Sequence, residues 1–209
     1  MSIRLVHERV EELDLEELRR RLREAPLAAV CGDQGAQRAA AALTPAAVLI
    51  PIVLRPEGYT LLFTRRTERL RSHAGQISFP GGRAEAGDTG PEHTALRETH
   101  EELGLSPAKV ELVGRLAEYC TRTGFLITPV VGLLDPTLAL RPDPDEVDEA
   151  FEVPVDFLLD GRNHQRHSTL YQGEVRSFFA IPYRDYYIWG ATAGILVNLH
   201  RHLARGAAG

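Results

Sequence analysis

Residues 81–105 read GGRAEAGDTGPEHTALRETHEELGL, and this stretch decides how the rest of the chain is interpreted. On a helix, Glu98, Glu101 and Glu102 are spaced i, i+3 and i+4, so their side chains share one face. Clustered carboxylates repel one another unless a cation joins them, and a hard divalent cation such as Mg²⁺ takes oxygen ligands. The spacing therefore predicts a helix that carries a divalent-metal site.

Helix signals bracket these glutamates on both sides. Pro91 suits the first turn of a helix over 91–103, and Gly104 suits its C-terminal cap. Before the helix, Gly81 and Gly82 form a predicted turn in which a backbone carbonyl can come close to a metal ion.

The stretch resembles the box of the Nudix family, which runs Gly, five residues, Glu, seven residues, then Arg-Glu-aliphatic-x-Glu-Glu-x-Gly-aliphatic. Counted from Gly82, the acidic position holds Asp88, and eight residues separate it from Arg97. Thr99 stands where an aliphatic residue is usual, while the Arg-Glu pair, the Glu-Glu pair and both glycines are present.

The resemblance implies a pyrophosphate hydrolase that uses Mg²⁺ or Mn²⁺. It implies metal binding by Glu98 and Glu102, with Glu101 contributing and the Gly82 carbonyl as a weaker candidate. It also implies that Arg97 orients a box glutamate, so the catalytic candidates are Glu98, Glu101 and Arg97.

The general base has several candidates. Glu98 is one, and acids of a later loop, Glu146, Glu149 and Glu152, are the others. Each of these loop acids also fits the simpler interpretation of a solvated charge.

A second tract, LLFTRRTERLRSHAGQISFPGG over 61–82, resembles the segment before the box in the coenzyme A pyrophosphatase subgroup. A box one residue longer is usual in that subgroup. Phosphate recognition favours arginine, which makes bidentate contacts. The substrate-binding candidates are Arg65, Arg66, Arg69, Arg71 and His73. If the segment stays extended, one face carries Arg65, Arg69 and Arg71. His73 is interpreted first as a residue that fixes the loop, with phosphate binding as the alternative.

The subgroup resemblance implies hydrolysis of coenzyme A, or of its acyl or oxidised derivatives, to 3′,5′-ADP and a 4′-phosphopantetheine. One alternative keeps the chemistry and changes the substrate to ADP-ribose, a dinucleotide such as NADH, or a nucleoside triphosphate. Another alternative is a non-catalytic Nudix domain that senses a nucleotide. The three box glutamates disfavour this alternative, since a domain that only binds a nucleotide does not need a helix face with metal-binding carboxylates.

Composition restricts the class of protein. A net charge of −5 disfavours nucleic acid as a standing partner, and no apolar run approaches the length of a membrane span. The N-terminus is acidic and lacks the features of a targeting segment, so a cytoplasmic protein with a small-molecule substrate is expected. Two cysteines, Cys31 and Cys120, predict neither a disulfide framework nor a metal cluster. Either a monomer or a homodimer fits.

The 209 residues suit one Nudix domain over 31–205 with an N-terminal helical appendage over 1–30. Alternation and helical periodicity predict an α/β fold with a mixed sheet, and the resemblance implies the Nudix α/β/α sandwich. The predicted helices cover 9–24, 91–103, 154–160 and 189–204, with Asp14 as another possible start of the first. The predicted strands cover 46–54, 59–66, 76–79, 110–118, 127–134, 147–153, 168–172 and 175–181.

Aromatic residues outside these tracts have two interpretations. Trp189 and Phe125 are interpreted first as packing residues, with an adenine or pantetheine pocket as the alternative. Leu62 and Phe79 are expected in the core, and His100 is expected on the exposed side of the box helix.

Overall fold

The computed structural model describes residues 14–24, 30–31, 43–69, 73–171 and 174–204. The four helices are α1 (Leu15–Arg23), α2 (Pro91–Leu103), α3 (Val155–Leu158) and α4 (Gly190–Ala204). The strands are β1 (Val30–Cys31), β2 (Thr44–Val53), β3 (Thr60–Arg66), β4 (Ile77–Ser78), β5 (Gly81–Arg83), β6 (Val110–Arg115), β7 (Tyr119–Cys120), β8 (Phe125–Leu134), β9 (Val147–Pro154), β10 (Gln165–Tyr171), β11 (Glu174–Tyr183) and β12 (Tyr186–Trp189).

A nine-stranded mixed sheet forms the centre of the molecule. Its main path runs β1-β7-β8-β2-β3-β4, and β5, β6 and β9 pair with β2, β8 and β3. The long β2–β8 pair is parallel, whereas β3 and β5 run antiparallel to β2. A second sheet of three antiparallel strands has the order β10-β11-β12.

Helices cover both faces of the large sheet, because its central strands are apolar on both sides. Leu49 packs with Ala95 of α2 on one face, whereas the next residue, Ile50, packs with Leu196 of α4 on the other. This alternation is the two-residue period of a strand. The predicted α/β/α sandwich with a mixed sheet is confirmed.

Helix α1 packs against the domain. Asp14 caps it, because its carboxylate accepts a hydrogen bond from the Glu17 N–H at 2.8 Å. Leu18 and Leu22 lie in the main core beside residues of α4, and the Arg21 guanidinium donates to the Leu203 carbonyl at 2.6 Å. The helix therefore begins at the alternative start inside the predicted 9–24 segment, while residues 9–13 lie outside the described ranges.

Several predicted elements of the sheets differ from the structure. The segment 110–118 is not one strand: β6 ends at Arg115, and β7 begins at Tyr119. Strand β8 begins at Phe125, and the predicted turn at Gly81 and Gly82 is the strand β5. Glycines lack the side-chain pattern that marks a strand, so only pairing with β2 reveals β5.

The ends of α2 agree with the prediction. Pro91 is its first residue, and Gly104 takes the left-handed conformation (φ 64°) as its N–H bonds to the His100 carbonyl. His100 is exposed, as expected. Within the part of the chain that the structure describes, no helix is both long enough and apolar enough to cross a membrane.

Candidate active site

Strand β5 and helix α2 bring glycine backbone and glutamate side chains together. In the β2–β5 pairing, Ala47 lies opposite Gly82. A Cβ atom on Gly82 would lie 2.5 Å from the carboxyl carbon of Glu98, so only glycine leaves room for that carboxylate. The backbone of β5 thus forms one wall of the site, and α2 forms the other.

Glu98 and Glu102, one helical turn apart, form what we call the carboxylate pair. The exposed fraction of the side chain is 17% for Glu98 and only 2% for Glu102. The Glu102 carboxylate accepts a long hydrogen bond from the Gly81 N–H at 3.3 Å, and the nearest guanidinium nitrogen of Arg66 is 3.5 Å away. These weak contacts leave most of the charge on Glu102 uncompensated.

The electrostatics of the carboxylate pair follow from this burial. Burial raises the pKa of Glu102 to about 8, although Arg66 and the Gly81 N–H oppose the shift. Burial also raises the pKa of Glu98 against the opposing effect of Arg97. The nearby charge of Glu146 raises both pKa values further. Such a pair suits a cation, which would stabilise both carboxylates in their charged form.

Asp88 anchors Arg97, the arginine that contacts Glu98 of the pair. Its carboxylate oxygens accept hydrogen bonds from Nε and Nη2 of Arg97, each at 3.1 Å, and from the Glu85 N–H at 2.9 Å. Thr94 donates to it at 2.8 Å, and His93 contacts it at the same distance. These hydrogen bonds, led by those from Arg97, hold the pKa of Asp88 well below its ordinary value.

Arg97 in turn contacts two glutamates. Its Nη1 lies 3.0 Å from Glu98 Oε1 and 3.0 Å from Glu101 Oε2. Glu98 is thereby fixed beside Gly82. The sequence identified Asp88 as the acidic position of the box, but not as the anchor of Arg97, since this contact spans a loop.

Glu101 lies at the edge of the site. Its side chain is 52% exposed and pairs with Arg97. Within the described residues, no three His, Cys, Asp or Glu side chains converge closely enough to hold a metal ion by themselves. The structure therefore brings Glu98 and Glu102 together and leaves Glu101 beside them.

The three loop acids occupy different surroundings. Glu152 bonds to Arg55 and Thr60, each at 2.5 Å, and Glu149 accepts a hydrogen bond from the Tyr186 hydroxyl at 2.7 Å. Glu146 is the loop acid whose charge acts on both members of the carboxylate pair. Its position beside the pair depends on the loop 135–146, whose Asp143 N–H bonds to the Glu102 carbonyl.

The arginines before the box separate instead of sharing a face. Strand β3 ends at Arg66, so the extended segment that would align Arg65 and Arg69 does not form. Arg65 pairs with Asp148 at 2.9 Å and Glu149 at 3.0 Å, whereas Arg66, on the opposite side of the strand, lines a cavity. Arg69 is exposed, and Arg71 lies outside the described residues.

His73 lines the same cavity as Arg66. Its Nδ1 lies 2.8 Å from the Gln76 side-chain oxygen, and its φ of 59° places it in the left-handed region. This contact within the loop is consistent with the predicted loop-fixing role.

A cavity of about 690 Å³ adjoins the carboxylate pair through the glycines of β5. Its polar lining includes Arg66, His73, Arg83 and Arg122, and its apolar lining includes Tyr119, Phe125, Ile127, Phe178, Trp189 and Ile195. Trp189 and Phe125 both line this cavity, so the structure favours the alternative prediction for them, a pocket, without excluding packing. Sequence reasoning missed Arg83 and Phe178. The sequence offered a signal for Arg83 alone, because this residue directly follows Gly81 and Gly82.

Comparison with known proteins identifies relatives of the chain. A family model described as the NUDIX domain matches residues 43–173. The chain is 43% identical over 154 residues to an uncharacterized Nudix hydrolase NudL of Photorhabdus laumondii. That match covers 74% of this chain and 82% of the relative.

Solved structures with the same fold include two of low sequence identity. A binary complex of the Ap4A hydrolase of Caenorhabditis elegans has a TM-score of 0.50 at 13% identity, covering 77% of this chain and 98% of that one. The MutT protein of Methanosarcina mazei has a TM-score of 0.50 at 14% identity, covering 79% and 96%. At this identity the likeness concerns the fold alone.

Proposed function

Because this chain belongs to the Nudix hydrolase family and is a pyrophosphatase, we propose that it cleaves coenzyme A or a derivative of coenzyme A. The bond broken is the pyrophosphate, and the products are 3′,5′-ADP and a 4′-phosphopantetheine. The tract over 61–82 that precedes the box supports this substrate, together with the arginines that line the cavity beside the box.

The observation that carries the proposal is the carboxylate pair, which contacts Arg66, Gly81 and Gly82, three residues that line the cavity. Nudix hydrolases use divalent metal ions, and two buried carboxylates beside the glycine backbone of β5 are a donor set of hard oxygens. Such donors suit Mg²⁺ or Mn²⁺, which complete their coordination with water and substrate oxygens. Glu98 and Glu102 would hold the metal, with the Gly82 carbonyl as a weaker candidate and Glu101 as a contributor from the edge. Bound there, a divalent ion supplies charge for the phosphates and a more acidic water.

Arginines of the chain bind the phosphates in this proposal. Arg66 lies between the Glu102 carboxylate and the cavity, so it can contact a phosphate without leaving the site. Arg83 and Arg122 add positive charge to the same lining. The 3′-phosphate of coenzyme A requires such a second cationic contact, and arginine provides it through paired N–H donors.

Glu146 is the proposed general base among the loop acids. It acts electrostatically on both members of the carboxylate pair, whereas Glu149 and Glu152 are engaged by Tyr186 and Arg55. A base must lie within reach of the water whose proton it takes, and the effect of the Glu146 charge on both members of the carboxylate pair supports this assignment. Glu98 is the alternative candidate for the general base.

Turnover of a substrate panel tests the proposal. The purified protein is assayed with coenzyme A, ADP-ribose, NADH, a diadenosine polyphosphate and nucleoside triphosphates, each with Mg²⁺ and with Mn²⁺. We expect coenzyme A to give the highest kcat/KM and to yield 3′,5′-ADP. A higher kcat/KM for ADP-ribose or a triphosphate would keep the pyrophosphatase chemistry and overturn the substrate.

A further inference from the structure

The small sheet presents two aromatic rings to the cavity. Trp189 of β12 pairs with Ala180 of β11, and Phe178 precedes Ala180 by two residues. Because side chains alternate along a strand, Trp189 and Phe178 project from the same face of this sheet. Their ring centroids are 5.7 Å apart at 69°, and both line the cavity.

These rings are distinct from the hydrophobic core. The opposite face of the small sheet carries Ile181 and Ile188, both 0% exposed and both part of the main core. On the cavity face, Trp189 stays 40% exposed although it is large and apolar. One face of this sheet thus stabilises the fold, whereas the other presents apolar surface to whatever enters the cavity.

The cavity joins two kinds of surface. Gly81, Gly82 and Arg66 connect it to the carboxylate pair, while Ile127 and Ile195 extend its apolar lining. A substrate with its pyrophosphate at the carboxylate pair therefore carries one of its arms along apolar surface. A purely polar arm would leave this surface without a matching contact.

We propose that Trp189 and Phe178 determine specificity by binding an apolar chain attached to one arm of the pyrophosphate. For the proposed function, this makes an acyl thioester of coenzyme A a better substrate than free coenzyme A. The identity of the nucleotide arm as that of coenzyme A rests on the proposed function. The apolar wall, by which we mean Trp189 and Phe178, depends only on the residues that line the cavity.

Burial of hydrocarbon sets the size of the expected effect. Each methylene group moved from water into apolar surroundings improves binding about fourfold. A chain that is only partly covered gains less, so an octanoyl group is expected to improve binding by at least about tenfold.

The fluorescence of Trp189 reports on this subsite directly, because it is the only tryptophan of the chain. The full-length protein is titrated with free coenzyme A and with octanoyl-coenzyme A in the presence of a chelator, so that turnover does not consume the ligand. We expect tighter binding of the octanoyl form and a shift of Trp189 emission to shorter wavelength as the indole loses water. Equal affinities without an emission shift would overturn the proposal.

Variants separate the apolar wall from a general effect on the sheet. Trp189→Ala is compared with Tyr187→Ala, since Tyr187 is an exposed aromatic residue on the same strand that does not line the cavity. We expect Trp189→Ala to lower the ratio of kcat/KM for octanoyl-coenzyme A over coenzyme A at least fivefold. Tyr187→Ala is expected to keep the wild-type ratio.

The outcomes distinguish this proposal from the proposed function. Preferential binding of octanoyl-coenzyme A without cleavage would support the apolar wall and contradict the activity. Cleavage of both substrates with equal kcat/KM would support the activity and contradict the wall. If Trp189→Ala weakens 3′,5′-ADP and both coenzyme A forms by the same factor, Trp189 stacks on adenine and the proposal is wrong.

Discussion

The three glutamates of α2 differ in how far water reaches their carboxylates. Glu102 is buried, Glu98 is largely buried, and Glu101 is exposed beside Arg97. A metal ion gains most from buried carboxylates, since few other partners compensate their charge. At the scale of the residue, burial therefore ranks Glu98 and Glu102 above Glu101 as metal ligands.

This ranking leads to a prediction for single substitutions. Glu98→Gln and Glu102→Gln should each lower kcat by about 10²-fold or more, because each removes a charged ligand that stabilises the transition state. The matched variant Glu101→Gln should lose distinctly less activity, as its carboxylate lies at the edge of the site. Steady-state kinetics with Mg²⁺ measure the effect, and circular dichroism checks that the fold is retained. Near-wild-type activity of both Glu98→Gln and Glu102→Gln would refute the metal assignment.

The site depends on the close approach of two elements, β5 and α2. Antiparallel pairing with β2 fixes β5, and packing on the same strand fixes α2. The loop between them is held by Asp88, which binds Arg97 of α2 and the Glu85 N–H. The extra residue in the box therefore lies in a loop whose end is anchored, so the longer spacing does not displace the glutamates.

Gly82→Ala tests this approach of β5 to α2. The added methyl group would overlap the Glu98 carboxylate, so we expect the carboxylate to shift and kcat to fall by about 10²-fold. The control is Gly87→Ala, in the loop between the same elements, where an added Cβ meets nothing within 4 Å. Activity assays at saturating Mg²⁺ compare the two. Equal activity of both variants would show that Glu98 need not lie against Gly82.

At the scale of the whole molecule, the N-terminal helix is integrated with the domain. Leu18 and Leu22 of α1 belong to the same core as Leu199 and Leu203 of α4. Gly114 of β6 lies directly against the Leu22 carbonyl, where a side chain would overlap it. We propose that helix α1, the described part of the appendage predicted over 1–30, serves as a structural part of the domain predicted over 31–205.

Because α1 packs into the core of the domain, truncating a buried residue of α1 should lower the stability of the protein and leave its catalytic activity unchanged. Leu22→Ala should lower the free energy of unfolding by about 2–5 kcal/mol, as expected when a fully buried leucine is truncated. Leu112→Ala, at a partly exposed leucine of β6, should change it by less than about 1 kcal/mol. Urea denaturation measures both variants, and kcat of Leu22→Ala below its melting range should match the wild type. A Leu22→Ala variant as stable as the wild type would contradict the structural role of α1.

Local signals predicted much of the fold. The box helix, its Pro91 start and its Gly104 cap follow from residues within one or two turns of each other. The central strands β2 and β3 follow from their apolar runs. Strand β5 and the break between β6 and β7 could not be predicted, because glycine has no side-chain pattern and a strand ends where its pairing ends.

The sequence by itself determined the chemistry of this protein: three glutamates at helical spacing after two glycines, and the family to which they point. Only the tertiary structure decided which of these glutamates are buried, that Arg66 and not Arg65 reaches the cavity, and that Trp189 lines it. The physical reason is the range of the interactions. Helix spacing and caps depend on neighbours along the chain, whereas burial and cavity lining depend on strands that are distant in sequence and meet only in the folded sheet.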